Sequence, residues 1–141
     1  MIHFQILTIS GKKFDDDVYE VVLPTPDGQI GVLQDHMPLI TVSTTGVISI
    51  RHEQHDPDNR MDHFATYGGV IEVSDNNLKV LVDEAEHSDE INEAEAKQAM
   101  ELAQKMKSEA KDQTSLEHAQ GLIDRSAIRL HVAGLKHRRQ H

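Results

Sequence analysis

The stretch LKVLVDEAEHSDEINEAEAKQAM, residues 78–100, changes character partway along. Leu78 to Val82 is a short apolar run of the kind a half-buried strand requires. After Glu86 the β-branched runs vanish and Ala, Glu, Lys, Gln and Met take over, residues that lose little side-chain entropy in a helix. The chain therefore divides near this point into a β part, residues 1–86, and an α part, residues 87–141.

Upstream, apolar residues come in short runs or alternate. Ile2, Phe4 and Ile6 lead into Leu7 and Ile9; Val18 to Leu23, Ile30 to Leu33, Leu39 to Val42, Val47 to Ile50, Phe64 to Tyr67 and Val70 to Val73 follow. The separators Gly11-Lys12, Asp27-Gly28, Thr45-Gly46, Asp56-Pro57-Asp58-Asn59, Gly68-Gly69 and Asp75-Asn76-Asn77 supply turn-forming backbone angles or side-chain turn bonds. So many short strands predict an antiparallel β-sandwich or barrel.

Downstream, Asn92 with Glu95 and Thr114 with Glu117 have capping-box spacing, so two helices are predicted with Lys111-Asp112-Gln113 as the turn between them. Ala96, Ala99, Met100, Ala103, Met106 and Ala110 recur at helical steps on the first. Leu116, Ala119, Ile123, Ala127, Leu130 and Ala133 do so on the second, and the stripes are expected to face each other in an antiparallel hairpin. An Ala seam gains only about 0.8 kcal/mol per buried carbon. Gly121 and Gly134 each cost about 1 kcal/mol relative to Ala. Such a hairpin is marginal; both a static role and a switching one fit it.

The 141 residues contain no Cys, which excludes a disulfide framework, thiol catalysis and a Cys-based zinc site. The opening MIHFQILTI lacks the basic flank and cleavage site of a secretory leader, and no apolar run approaches the ~20 residues of a spanning helix, so membrane association is expected only through partners. A formal charge of −10 argues against nucleic-acid binding. Its distribution is uneven: residues 1–85 hold five Lys/Arg against fourteen Asp/Glu, whereas 125–141 hold Arg125, Arg129, Lys136, Arg138 and Arg139 and no acid. An acidic body with a basic tip suggests an acidic partner for the tip, although a helix dipole alone explains Lys136 to Arg139.

Nucleotide-cradling loops and a nucleophile elbow are absent from the sequence. His52-Glu53-Gln54-His55 is one residue short of the zinc-protease spacing and reads as a solvated hairpin tip; Asp15-Asp16-Asp17 reads as a solvated turn rather than a cation loop. No metal, cofactor or catalytic residue is expected. Asp35-His36-Met37-Pro38 lies in a loop that can display a contact residue, with a locally bonded histidine as the equal alternative.

Gly28 to Leu39, GQIGVLQDHMPL, closely resembles the signature region of the ATP synthase epsilon family, and Thr45-Gly46-Val47-Ile48, Tyr67 to Val73 and Leu81 to Glu86 resemble its later segments in order. The resemblance implies a non-catalytic rotor subunit of a proton-translocating F-type ATP synthase. Its sandwich would bind the gamma subunit and the ring of c subunits, with Gln29, Asp35, His36 and Met37 as contact residues. Its helical hairpin would either fold against the sandwich or extend toward the catalytic beta and alpha subunits and restrain ATP hydrolysis, with Arg125 and Arg129, then Arg138 and Arg139, as the inhibitory contacts.

Some members resembling this chain bind ATP at the start of the first helix. Here Asn92 and Glu95 stand where that motif has Asp and Arg, so Arg125 and Arg129 represent half a site and weak or no ATP binding is implied. The implied location is the cytoplasmic face of a bacterial plasma membrane, or the stromal face of a thylakoid. Two other readings compete: a stand-alone small-molecule sensor, which requires a well-formed pocket, and a metal-dependent hydrolase, which requires at least three converging ligands.

Overall fold

The computed structural model describes the backbone of residues 1–139 and the side chains up to Leu135. Eight strands precede two helices: β1 (Ile2–Thr8), β2 (Gly11–Val18), β3 (Glu20–Thr25), β4 (Gly28–Leu33), β5 (Leu39–Arg51), β6 (Asp62–Ser74), β7 (Asn77–Val82), β8 (Ala85–His87), α1 (Glu93–Glu109) and α2 (Gln113–Arg139). The strands form one hydrogen-bonded sheet in the order β2-β1-β7-β6-β5-β3-β4, with β8 added on β6. All pairs are antiparallel except β1 with β7.

Two thirteen-residue strands turn this sheet into a sandwich. The first half of β5 pairs with the second half of β6 (Leu39↔Val73 to Ser43↔Gly69), and its second half pairs with the first half of β6 (Thr45↔Tyr67 to Ile50↔Asp62). The second half of β6 then carries β7, while its first half carries β8 and β5 carries β3. One layer is thus β2-β1-β7 with one half of β6 and β5; the other is β8 with the remaining halves, β3 and β4. The pairs Thr45-Gly46 and Gly68-Gly69, expected as turns between strands, are instead where single strands bend from layer to layer. At Gly69 a Cβ would lie 2.1 Å from the Leu81 carbonyl oxygen, so the close crossing tolerates no side chain.

Between the layers Ile2, Phe4, Ile6, Val21, Leu23, Ile48, Ile50, Phe64, Ile71, Leu78 and Val80 form the core, each buried and each on the inward phase of its strand. The apolar run Val18 to Leu23 is split: Val18 ends β2 and β3 begins at Glu20. Asp15-Asp16-Asp17 is not a turn. It lies in edge strand β2, paired with β1, where an outer strand keeps carboxylates in water and discourages pairing with another chain.

α1 starts as expected, with the Asn92 side chain accepting from the Glu95 N–H at 3.1 Å. The second cap is not Thr114. Asp112 accepts from the Ser115 N–H at 2.7 Å, which moves the helix start ahead of Thr114 and holds the Asp112 carboxyl below its usual range. The stripe on α2 is also shifted. Ala119 and Ala133 are buried as expected, but Ala127 and Leu116 are exposed and Ser126 is buried. The reason is that α2 meets two surfaces: α1 on one side and, through Ile128, Val132 and Ala133, the outer face of the second layer at Val47, Ala65 and Tyr67, with Ile91 closing the contact.

Candidate functional site

The hairpin covers one outer face of the sandwich, and among the described residues nothing covers the opposite outer face. On that bare layer the outward positions Val42, Val70 and Leu81 pair in one row across β5, β6 and β7, and Leu7 of β1 continues it. Ile40, two residues before Val42, lies on the same face. Exposures are 75% for Ile40, 54% for Val42, 45% for Val70 and 47% for Leu81. A one-sided sheet ordinarily carries polar residues at such positions, so a contiguous apolar row marks a place where another surface sits. The signal was readable in the sequence as alternation that fails at Ile40, Val42, Val70 and Leu81.

The Asp35–Pro38 loop borders this layer. Asp35, at φ 66°, is pinned: its N–H donates to Asn76 Oδ1 at 2.6 Å and Asn76 Nδ2 donates back to Asp35 Oδ1 at 3.2 Å. The loop is thereby tied to the β6–β7 turn. His36 is half-buried, with Nδ1 2.7 Å from the carbonyl oxygen of Met37, and Met37 is 76% exposed. Of the loop residues singled out, Met37 and Asp35 are exposed and His36 is half-buried; Asp35, through Asn76, also holds the loop's shape. Gln29 is exposed at the start of β4, and roughly 13 Å of strand separates it from Leu33 at the loop end. It does not form one patch with His36.

On the covered face, Arg125 and Arg129 come together with carboxylates that sequence reasoning did not single out. Arg125 Nη2 is 2.6 Å from Glu84 Oε2, and its guanidinium lies 4.3 Å over the Tyr67 ring. Arg129 meets Glu86 twice, Nη2 to Oε2 at 3.2 Å and Nε to Oε1 at 2.9 Å, the second an ionic contact out of line with the N–H. Tyr67 donates its hydroxyl to Glu86 Oε1 at 2.8 Å. Burial, and then the Glu86 carboxylate, push the Tyr67 phenol far above its ordinary range.

The cleft around these groups, about 270 Å³, is lined also by Ala99, Leu122 and Ser126. Asn92 and Glu95 are not in its wall; they are engaged with each other as a helix cap. Arg138 and Arg139 lie outside the residues whose side chains are described.

Three of the histidines bond to carboxylates. Asp62 accepts from His52 Nε2 at 2.5 Å through one oxygen and from His87 Nε2 at 2.9 Å through the other, fastening the β5–β6 loop to β8. His3 lies between Asp15 and Asp17, 2.7 Å from each. Among the described residues no three His, Asp or Glu side chains are arranged to hold a metal ion, and no helix is long and apolar enough to cross a membrane.

A sandwich with one bare apolar face and a helical hairpin ion-paired to the other is built to be held by larger partners: it is a binding subunit. Residues 1–88 match the family model of the ATP synthase delta/epsilon chain β-sandwich domain. The chain is 35% identical over 137 residues to the ATP synthase epsilon chain of a Sulfurihydrogenibium species, covering 96% of this chain and 99% of that one. It is 36% identical over 132 residues to that of Gloeobacter violaceus, covering 92% and 96%. A chain in the Euglena gracilis mitochondrial ATP synthase (OSCP/F1/c-ring) has the same fold, with a TM-score of 0.78 at 19% identity over 94% of this chain and 80% of that one. The protein belongs to the ATP synthase epsilon chain family, and is accordingly a non-catalytic subunit.

Proposed function

We propose that this chain works in the central stalk of a proton-translocating F-type ATP synthase, joining gamma to the c-subunit ring and restraining ATP hydrolysis through its C-terminal helices. The observation that carries the reading is the uncovered row Ile40, Val42, Val70 and Leu81 on the layer opposite the hairpin. Gamma would cover this row, burying side chains worth about 1.5–3 kcal/mol each when fully removed from water. Met37, at the tip of the adjoining loop, would extend the contact toward the ring, and Gln29 would offer a neutral hydrogen bond from the far end of β4.

The division of labour runs at residue 86: residues 1–86 bind the rotor and 87–141 regulate. Regulation requires Arg125 and Arg129, with Arg138 and Arg139, to reach acidic surface on the catalytic beta and alpha subunits when the hairpin extends. The subunit is peripheral, at the cytoplasmic face of a bacterial plasma membrane, and held there by its partners. A stand-alone sensor would instead close its hairpin over an enclosed ligand cavity, whereas the clefts beside the hairpin here are open and shallow.

The test is reconstitution with gamma and the catalytic subunits. The full chain should co-purify with gamma, and Val70→Asp with Leu81→Asp should abolish this while the chain stays folded. Deleting the chain from residue 88 should leave assembly intact and raise ATP hydrolysis. An unchanged hydrolysis rate would reject the inhibitory role, and a native chain that ignores gamma would reject the reading as a whole.

A further inference from the structure

The two arginines proposed to reach an acidic partner are already occupied by acids of this chain. Glu84 lies between β7 and β8 and Glu86 lies in β8, on the sandwich side of the division. Arg125 and Arg129, one helical turn apart, bind them with matching polarity.

The two pairs are unequal. Arg125 and Glu84 are each about half exposed, so water and salt weaken their attraction. Arg129 and Glu86 retain only 23% and 17% of their side-chain exposure, and removing one partner there leaves the other charge desolvated. Glu86 is moreover set in place without the hairpin's help. Tyr67, also a sandwich residue, donates to the oxygen that faces Arg129 Nε, so the receiving carboxylate keeps its orientation when α2 lifts.

Among the described residues the remaining contact between hairpin and sheet is one apolar seam of seven side chains: Val47, Ala65, Tyr67, Ile91, Ile128, Val132 and Ala133. A partner that binds the extended form about 10⁴-fold more tightly carries such an equilibrium from 1:99 to 99:1.

We propose that Glu84 and Glu86, with Tyr67 as the positioning residue, form a built-in latch that holds the hairpin folded without any ligand and competes with an acidic partner surface for Arg125 and Arg129. Glu86 belongs to the sandwich, and the acidic partner surface is reached only by the extended hairpin, so Arg129 cannot hold both at once. The latch therefore has to open before the inhibitory contact can form. The competition rests on the inhibitory role proposed above; the latch does not.

Absence of native Cys allows two dyes to be placed cleanly, at cysteines introduced at exposed Asp27 and Glu109 of the full chain. Glu84→Gln with Glu86→Gln preserves shape and removes charge. It should raise the open fraction about ten-fold, in keeping with loss of one partly buried and one exposed ion pair. Tyr67→Phe keeps the ring under Arg125 but frees Glu86, and should raise it about two- to three-fold, the scale of one hydrogen bond. High salt should open the native chain and leave the Gln variant unchanged.

An unaltered dye distance in the Gln variant would overturn the latch. In the assembled enzyme the same variant should hydrolyse ATP more slowly than the native complex. An open hairpin with native hydrolysis would overturn the competition, and would trace the failure to the inhibitory reading while the dye result upholds the latch.

Discussion

The two outer faces of the sandwich are made from the same two strands and have opposite fates. Ala65 and Tyr67 of β6 lie under α2, whereas Val70, three residues beyond Tyr67 and past the Gly68-Gly69 bend, faces water from the other layer. Both faces are apolar enough to bind something. The covered one is satisfied by the chain's own hairpin, through a seam of Ala, Val, Ile and Tyr flanked by two ion pairs. The uncovered one, with Ile40, Val42, Val70 and Leu81, has no internal partner among the described residues. The two faces differ less in side-chain size than in what holds the contact: on the covered side part of it is charge pairing, which salt weakens. Under the function proposed above, the covered contact is the one that opens and the bare row is the one that gamma keeps.

The largest expected effect comes from the bend that creates both faces. A Cβ at Gly69 would overlap the Leu81 carbonyl oxygen and crowd Val82, so neither strand can yield without breaking the ladder. Gly69→Ala should lower stability by about 4 kcal/mol, because the added carbon meets backbone that cannot move aside. Urea unfolding followed by circular dichroism measures it. A shift below about 1 kcal/mol would mean that the two layers are not locked at this crossing.

Next comes a direct contrast of the faces. Val132 is fully buried between α2 and the sheet, and Val70 is 45% exposed. Val132→Asp should weaken docking of the hairpin by about 3 kcal/mol, because a carboxylate there is taken out of water. It should appear as rapid proteolysis after residue 88 with a sandwich that still melts cooperatively. Val70→Asp should change the stability of the isolated chain by no more than about 0.5 kcal/mol, as exposed positions do. Equal effects would erase the distinction between covered and bare.

A smaller effect tests how far the hairpin stands on its own. Asn92→Ala removes the side chain that accepts from the Glu95 N–H and should cost about 1 kcal/mol. Because α1 meets α2 rather than the sheet, the loss should fall on the hairpin transition and leave the sandwich transition in place, which fragment-resolved hydrogen exchange distinguishes.

The β-then-hairpin order was legible from residues 78–100 because the period of the apolar pattern changes there and propensity changes with it. Which glycines turn and which bend was not legible, since Thr45-Gly46 and Gly68-Gly69 supply the same backbone freedom to either outcome. Nor was the phase of α2. A helix packed on one side shows one stripe, but α2 packs on α1 and the sheet together, so Ser126 and Val132 became buried while Ala127 did not. Arg125 and Arg129 were legible as a cationic pair. Their acids were not, because Glu84 and Glu86 lie some forty residues earlier and only the folded hairpin brings them together.

The smallest expected effect lies at the edge of the bare face, where the apolar row gives way to charge. His3 of β1 has Asp17 opposite and Asp15 beside it, and it points to the same side as Leu7. The hydrogen bond with Asp17, opposed in part by desolvation and aided by Asp15, raises the imidazole pKa above 6.5 in the folded chain. The stabilisation is therefore complete below pH 6.5, where the unfolded chain also binds the proton, and fades as pH rises through the folded value. His3→Gln should flatten the stability profile just above pH 6.5 and leave the plateau at higher pH nearly unchanged, as measured by urea midpoints across the window. A profile with the same slope after substitution would show that the contact of His3 with Asp15 and Asp17 does not carry the dependence.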